Sequence, residues 1–242
     1  MKKNILLLAL IFSLISISEA QENIRFGFQL TPSFSWMTTS SSNINPSDGP
    51  NLGLKLGMLG EYYFQENYAA VSGIGFHFNA GGTLLHNYGG NYWTKSDLPS
   101  NLDTLSNNVK LKYSIQYLEI PFGLKMRTKE FGYIRYYMTP QITAGFKTQA
   151  RGVIDDQGIT GENEEKYNIK NEVTGLALSW GIGAGIEYSI SESSSLVGGV
   201  LVQFGFIDAT KDGGTVFHPD GNKTEDSKGL MRSISLQLGI IF

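Results

Sequence analysis

The sequence has 242 residues, enough for one sizeable domain, and its 19 basic and 22 acidic side chains give a net charge of −3. That balance excludes the basic surface on which nucleic-acid binding depends, so no nucleic-acid partner is expected. Cysteine is absent, which excludes disulfides and cysteine-ligated metal sites, and the three histidines form no metal-binding motif. No cofactor is predicted.

The first residues, 1–20, have the features of a secretory signal peptide. Lys2 and Lys3 precede an apolar run from Ile5 to Ile17, and small residues flank a cleavage site after Ala20. The run is shorter than the roughly 20 apolar residues that a membrane-spanning helix needs. We therefore expect export, with a signal peptide over residues 1–20 and one mature domain over residues 21–242.

Eight segments of the mature chain alternate apolar and polar residues, which is the period of a β-strand with two unlike faces. In chain order, the predicted strands are 24–36, 52–64, 68–78, 109–126, 133–147, 174–190, 196–208 and 231–242. Long polar loops (37–51, 79–108, 148–173 and 209–229) alternate with short turns between them. An even number of strands with this alternation of connections predicts an all-β fold, an eight-stranded antiparallel up-and-down transmembrane barrel.

The size of the side chains indicates which face of each strand points outward. Phe, Leu, Ile, Trp and Tyr crowd one row of each strand, whereas Gly, Ser, Thr and Gln dominate the other. A soluble barrel with its apolar rows inside is the alternative, but eight strands leave room only for side chains within the barrel. We therefore predict that the bulky rows face lipid and that the protein lies in the outer membrane.

The fourth strand departs from this pattern near Tyr117. Its apolar residues occupy odd positions up to Tyr117 and even positions from Leu118 onward. One extra residue would shift the phase in this way, so a β-bulge is predicted near Tyr117. Pro121 cannot donate to the strand ladder and adds to the expected irregularity.

The stretch 117–125, YLEIPFGLK, together with the leader, the eight-strand pattern and the terminal Phe242, resembles the PorT-like outer-membrane β-barrel proteins. The resemblance covers the mature chain. It implies an outer-membrane barrel whose last strand, ending at Phe242, is the signal recognised by the barrel assembly machinery. One member of that family is tied to a type IX secretion system, so an envelope or secretion-system protein is a candidate partner.

Charged residues on the inward rows are expected to pair, because an unpaired charge in so narrow a space is costly. We predict a salt-bridged plug with Glu119 and Arg135 at its centre. The predicted lumen charge network comprises Arg25, Glu61, Glu119, Lys125, Arg135 and Glu187.

Aromatic residues near the strand ends predict the interfacial girdles typical of membrane barrels. The candidates are Trp36, Tyr62, Tyr68, Tyr136 and Tyr188.

These features favour a non-enzymatic outer-membrane protein, with a plugged lumen and four long outer loops, that serves envelope structure, adhesion or a secretion complex. Outer-membrane lipid and lipopolysaccharide are the expected surroundings. One alternative is a narrow channel for small solutes. Another is a lipid-modifying enzyme, which would require a histidine such as His77 near a serine and a carboxylate.

Overall fold

The computed structural model describes residues 23–155, 165–211 and 213–242; the predicted signal peptide lies outside the described residues. Two short 3-10 helices occur at Ser100–Leu102 and Lys170–Glu172. No helix in the described part of the chain has the length and apolar character to cross a membrane. The strands are β1 Ile24–Thr39, β2 Ser47–Gln65, β3 Tyr68–His86, β4 Gly90–Asn91, β5 Val109–Arg127, β6 Ile134–Asp155, β7 Tyr167–Asn168, β8 Leu176–Ser189, β9 Ser195–Gly205, β10 Thr215–His218, β11 Gly221–Thr224 and β12 Gly229–Ile241.

Eight of the described strands form a closed antiparallel ring in the order β1, β2, β3, β5, β6, β8, β9 and β12. Each pairs with its neighbour along the chain, and β1 pairs with β12 to close the ring. At the seam the backbones of Phe26 and Phe242 exchange hydrogen bonds of 2.7 and 3.2 Å. Closure satisfies both edges of the sheet, as a lipid-exposed sheet requires. The predicted eight-stranded antiparallel barrel is confirmed.

Apolar side chains cover the outside of the ring. Phe26 is 60% exposed and Ile142 is 55% exposed, whereas Ser33 is fully buried inside and Thr143 is 3% exposed. Bulky rows therefore surround a lumen filled by small and polar side chains, as predicted from side-chain size.

Above this apolar band the polarity of the wall reverses. Val109, Leu111 and Tyr113 on β5 point inward and are buried, while Lys110 and Lys112 between them point outward. The strands therefore continue past the apolar band as the wall of a lobe with its own apolar core, which we call the outer cap. Its buried residues include Met37, Leu84, Trp93, Leu102, Leu105, Val109, Leu111, Ile154, Ile169, Val173 and Val216.

This continuation makes several strands longer than predicted. β3 extends to His86 and β6 to Asp155, so parts of the predicted loops 79–108 and 148–173 are strand. The predicted strands were too short because these segments contain glycines and carry their apolar residues on the inward row. A search for an outward apolar row therefore assigns them to loops. The remaining loop residues fold over the barrel, where β4, β10 and β11 form a small antiparallel sheet.

The phase change of strand β5 has a different cause from the predicted one. Odd residues of β5 point inward along its whole length, so no extra residue lies within this strand. The apolar row moves from odd to even positions because the strand passes from the cap core into the membrane band. A register shift does lie beside Tyr117, as predicted, but the extra residue belongs to the partner strand and not to β5.

The neighbouring strands carry the irregularity instead. On β6 one extra residue separates Gln149 from Lys147, which are the partners of Gln116 and Tyr117. A second shift interrupts β3 at the same height, where Asn79 adopts a φ of +57°. These two bulges change the phase of β3 and β6 where the barrel meets the cap.

Candidate functional site

The lumen holds two layers of charged and polar side chains. The lower charge cluster, near the short turns, consists of Arg25, Glu61, Lys125, Arg127 and Glu187. Lys125 Nζ lies 2.6 Å from Glu61 Oε1 and also contacts Glu187 Oε1. Arg127 and Arg25 approach Glu187 Oε2 at 3.6 and 3.8 Å. One lysine thus joins two almost fully buried carboxylates from opposite sides of the barrel.

Two tyrosines complete this layer. The Tyr63 hydroxyl donates to Glu61 Oε2 at 2.7 Å, and the Arg127 guanidinium lies 4.0 Å from the centre of the Tyr63 ring. Lys125 Nζ lies 4.8 Å from the centre of the Tyr137 ring. Aromatic faces and ion pairs together compensate for the loss of hydration that burial imposes on the charges.

The second layer, the central network, crosses the lumen higher up. Lys55 Nζ lies 2.9 Å from Glu119 Oε2 and donates to Gln203 Oε1 at 2.6 Å. His77 Nδ1 lies 3.0 Å from Glu119 Oε1, and His77 Nε2 lies 3.0 Å from Ser33 Oγ. Strands β1, β2, β3, β5 and β9 therefore meet in one hydrogen-bonded layer.

Cavities lie on either side of the central network, and both are lined by Lys55, Glu119, Thr143 and Gln203. One is lined by the inward glutamines Gln29, Gln141, Gln203 and Gln237 together with apolar side chains of β2 and β3. The other reaches Tyr117 and the underside of the outer cap. The four shared side chains separate the two cavities.

The structure brings four of the predicted network residues together, namely Arg25, Glu61, Lys125 and Glu187. Glu119 belongs to the central network, not to this cluster. Arg135 pairs with Glu130 at 2.5 Å and donates to Ser189 Oγ at 3.2 Å, so the predicted centre formed by Glu119 and Arg135 is wrong.

The reason is the register of the strands. Glu119 lies opposite Gly145 on β6, which is ten residues further along that strand than Arg135. Adjacent strands do not bring two residues together unless their distances from the connecting turn match.

The predicted aromatic residues occupy both borders of the apolar band. Tyr62, Tyr68, Tyr136 and Tyr188 lie at the short-turn end, each more than 40% exposed. Trp36 lies at the opposite border, beside Arg232 of β12. Phe242 is half exposed at the end of the last strand.

Lys55, Arg127, Tyr63, Gln203 and Ser33 were not among the predicted network residues. Four of these residues lie on inward rows, and their inward position could have identified them from the sequence: Lys55, Tyr63, Gln203 and Ser33. Arg127 was assigned to a turn because the end of its strand could not be read from the pattern. Which inward residues touch across the lumen depends on barrel geometry.

Within the described ranges, no group of three or more His, Asp or Glu side chains is arranged to hold a metal ion. The lumen carboxylates instead contact lysine, arginine, histidine and tyrosine.

The outer cap buries a histidine whose ring nitrogens have no hydrogen-bond partner among the described residues. His86 is 3% exposed, and its ring centre lies 4.1 Å from that of Tyr92. Burial lowers the pKa of His86 to about 3, so the imidazole is neutral at physiological pH. Burial also raises the pKa of the Glu172 carboxyl, which accepts hydrogen bonds from Lys95 N and Ser96 Oγ.

Comparison with known proteins identifies one family. The family model described as outer membrane protein beta-barrel domain matches residues 19–211. None of the curated proteins matches the sequence.

Several solved structures are similar in fold. Neisserial surface protein A is 10% identical, with 90% of this chain and 95% of that chain covered and a TM-score of 0.43. Ail, the attachment invasion locus protein of Yersinia pestis, is 12% identical, with coverages of 92% and 100% and a TM-score of 0.40. A major outer membrane protein of Thermus thermophilus is 12% identical, with coverages of 90% and 98% and a TM-score of 0.45.

Proposed function

The chain belongs to the outer membrane protein beta-barrel domain family, and from that premise we propose that it is a non-enzymatic membrane anchor for the outer cap. The short turns then face the periplasm and the cap faces outward, as in other outer-membrane barrels. The cap is the surface available for adhesion, for envelope structure or for a secretion-system partner. The resemblance of YLEIPFGLK to the PorT-like proteins supports the last of these roles.

Closure of the lumen carries this proposal. The lower charge cluster, the central network and the apolar core of the cap lie one above another along the barrel axis. An ion crossing the barrel would have to break buried ion pairs and then enter an apolar core, and both steps are unfavourable. The barrel is therefore a plugged anchor, and the narrow-channel alternative is disfavoured.

Planar bilayers test the plug. We expect no steady conductance from the purified protein, whereas a general diffusion porin in the same bilayers conducts. Recovery of the inserted protein from the membrane confirms that it was present. Large and steady conductance would refute the plug and favour the channel.

The enzyme alternative has one specific observation in its favour, the hydrogen-bonded chain Ser33–His77–Glu119. Its order matches a nucleophile, a general base and an orienting carboxylate. However, Ser33 is fully buried and lines neither lumen cavity, so an ester carbonyl has no route to Ser33 Oγ. We assign the chain a structural role, in which it holds the central network together.

An organofluorophosphonate, which labels activated serines, separates these readings. We expect no labelling of the wild-type protein in detergent or in native membranes, and no difference from Ser33→Ala. Labelling that disappears in both Ser33→Ala and His77→Gln would instead make the protein a serine hydrolase.

The remaining roles concern the surroundings of the barrel. The aromatic residues at the borders of the band act as interfacial girdles, and Phe242 ends the strand that the barrel assembly machinery recognises. Removing Phe242 is expected to lower the amount of assembled protein in outer-membrane fractions. Unchanged assembly after that deletion would remove Phe242 as the signal.

A further inference from the structure

One side of the barrel rises well above the apolar band. The outer parts of β3, β5 and β6 continue to His86, Val109 and Asp155. Their inward side chains build the cap core, so their outward side chains stand above the lipid. This tall wall therefore presents a surface beside the membrane, where the heads of outer-leaflet lipids lie.

Three cations lie on the outward face of the tall wall. Lys110 and Lys112 alternate with buried residues on β5, and Arg151 lies between the buried Ala150 and Gly152 on β6. Arg151 is opposite Ser114, and Lys112 is the next outward residue along β5. Their Cβ atoms are therefore diagonal neighbours, about 7–8 Å apart.

Among the described residues, a carboxylate engages one of these cations and leaves the other two unpaired. Lys110 Nζ pairs with Asp48 Oδ2 at 2.9 Å. Within the described part of the chain, Lys112 and Arg151 have neither an ion pair nor a side-chain hydrogen bond. Their donors can contact an anion that approaches this face of the wall.

The height of the pair indicates which anion it meets. Phe146 is the last exposed apolar residue on β6, and Arg151 follows five residues later. At roughly 3.3 Å per residue and about 40° of tilt, this places Arg151 about 12 Å above the band. The polar headgroup region of a phospholipid leaflet is only about 5–8 Å thick. The pair therefore stands above phospholipid phosphates, at a level that a lipid with a larger saccharide head reaches.

We propose that Lys112 and Arg151 bind the anionic saccharide head of lipopolysaccharide. Arg151 can contact a phosphate or a sugar-acid carboxylate through two parallel N–H donors, and Lys112 adds a second positive charge. Ser114, opposite Arg151, and Gln149, nearer the lipid on β6, offer a hydroxyl and an amide to the sugar. This assignment rests on the proposed outer-membrane location and adds to it a specific lipid and two residues that bind it.

Titration of lipopolysaccharide against the purified full-length protein in phospholipid nanodiscs tests the assignment. Each cation contributes a factor of about five to binding of an anionic surface, so Lys112→Gln with Arg151→Gln should weaken binding about 30-fold. Lys129→Gln, in the exposed turn at the opposite end of the barrel, is the matched control and should change nothing. Wild-type binding should also weaken as salt is raised.

Unchanged affinity in the double variant, or an equal loss in Lys129→Gln, overturns the assignment. Comparing lipid A with lipopolysaccharide that carries core sugars then distinguishes phosphate from sugar-acid carboxylate as the bound group. The double variant should still fractionate with the outer membrane and keep its heat-dependent mobility in gels. Absence of the wild-type protein from the outer membrane would refute the proposed function itself, whatever the nanodiscs show.

Discussion

At the scale of single residues, the lumen is organised around charges that depend on one another. Lys125 is 3% exposed and is the only cation of the described lower cluster that contacts both Glu61 and Glu187. Glu187 has no exposed surface, so its charge is tolerated only because cations surround it. Removing one member of such a cluster is costlier than the net value of the pair, because the partner is left buried and unpaired.

Lys125→Met tests this dependence. We expect the variant to lose about 3–5 kcal/mol of unfolding free energy, because two buried carboxylates lose their shared cation. Urea unfolding in lipid vesicles measures the loss, and Lys129→Met in the exposed turn is the control. A change below about 1 kcal/mol, typical of an exposed pair, would contradict the buried-cluster account.

His86 gives the outer cap a dependence on pH. Its pKa falls from 6.5 to about 3 on burial, so the unfolded cap takes up a proton that the folded cap does not. Stability of the cap is complete above about pH 6.5 and declines as the pH falls towards 3. Hydrogen exchange in β3, corrected for intrinsic rates, should be faster at pH 5 than at pH 7.5.

Replacing His86 by Phe should abolish that difference and slow exchange in the cap. The variant removes two buried nitrogens that lack partners, a change worth about 1–3 kcal/mol, and keeps a ring beside Tyr92. If exchange in His86→Phe is still faster at pH 5 than at pH 7.5, another titrating group in the cap causes the pH dependence.

At the scale of strands, glycine marks where two elements approach too closely for a side chain. A Cβ on Gly199 of β9 would lie 2.5 Å from the Tyr137 hydroxyl and 2.6 Å from the carbonyl of Ala184. A Cβ on the adjacent Gly198 would meet no atom within 4 Å, because that residue faces outward. Of these two neighbouring glycines, Gly199 therefore has no space for a side chain, whereas Gly198 does.

The pair makes a matched test of the inward and outward rows. Gly199→Ala is expected to destabilise the barrel by about 1–3 kcal/mol through overpacking. Gly198→Ala should be neutral or stabilising by about 0.4–1 kcal/mol, because it restricts the unfolded chain without strain. Urea unfolding in lipid vesicles compares the two variants, and equal losses would refute the assigned faces of β9.

At the scale of the whole molecule, one chain contains two environments. The lower barrel is apolar outside and polar inside, and the outer cap is polar outside and apolar inside. The three tryptophans are distributed between the two environments. Trp180 is 48% exposed on the band, whereas Trp93 is buried in the cap. Their fluorescence therefore reports which part of the molecule contacts lipid.

Phospholipids with brominated acyl chains should quench the wild-type fluorescence strongly. The variant with Trp36→Phe and Trp180→Phe retains only Trp93, whose indole donates to the Tyr113 hydroxyl at 3.1 Å inside the cap. Its emission should be insensitive to the brominated lipid. Strong quenching of Trp93 would place the cap within the bilayer and contradict the division into band and cap.

The alternation of residue types along the chain was sufficient to predict the eight strands of the barrel, its closure and the outward face of the membrane band. A two-residue period and side-chain volume are local properties, and each inward row could be read without knowing its neighbours. The sequence also identified four residues of the lower charge cluster as inward charges.

Which charges touch became visible only once the strands were assembled, as the separate partners of Glu119 and Arg135 demonstrate. The tertiary structure also decided that the apolar stretch before Tyr117 is a cap core and that the bulges belong to the neighbouring strands. The physical reason is that contacts across a barrel depend on register and on distance from each turn. Whether an apolar row faces lipid or a protein core depends on its height above the membrane, which no local pattern contains.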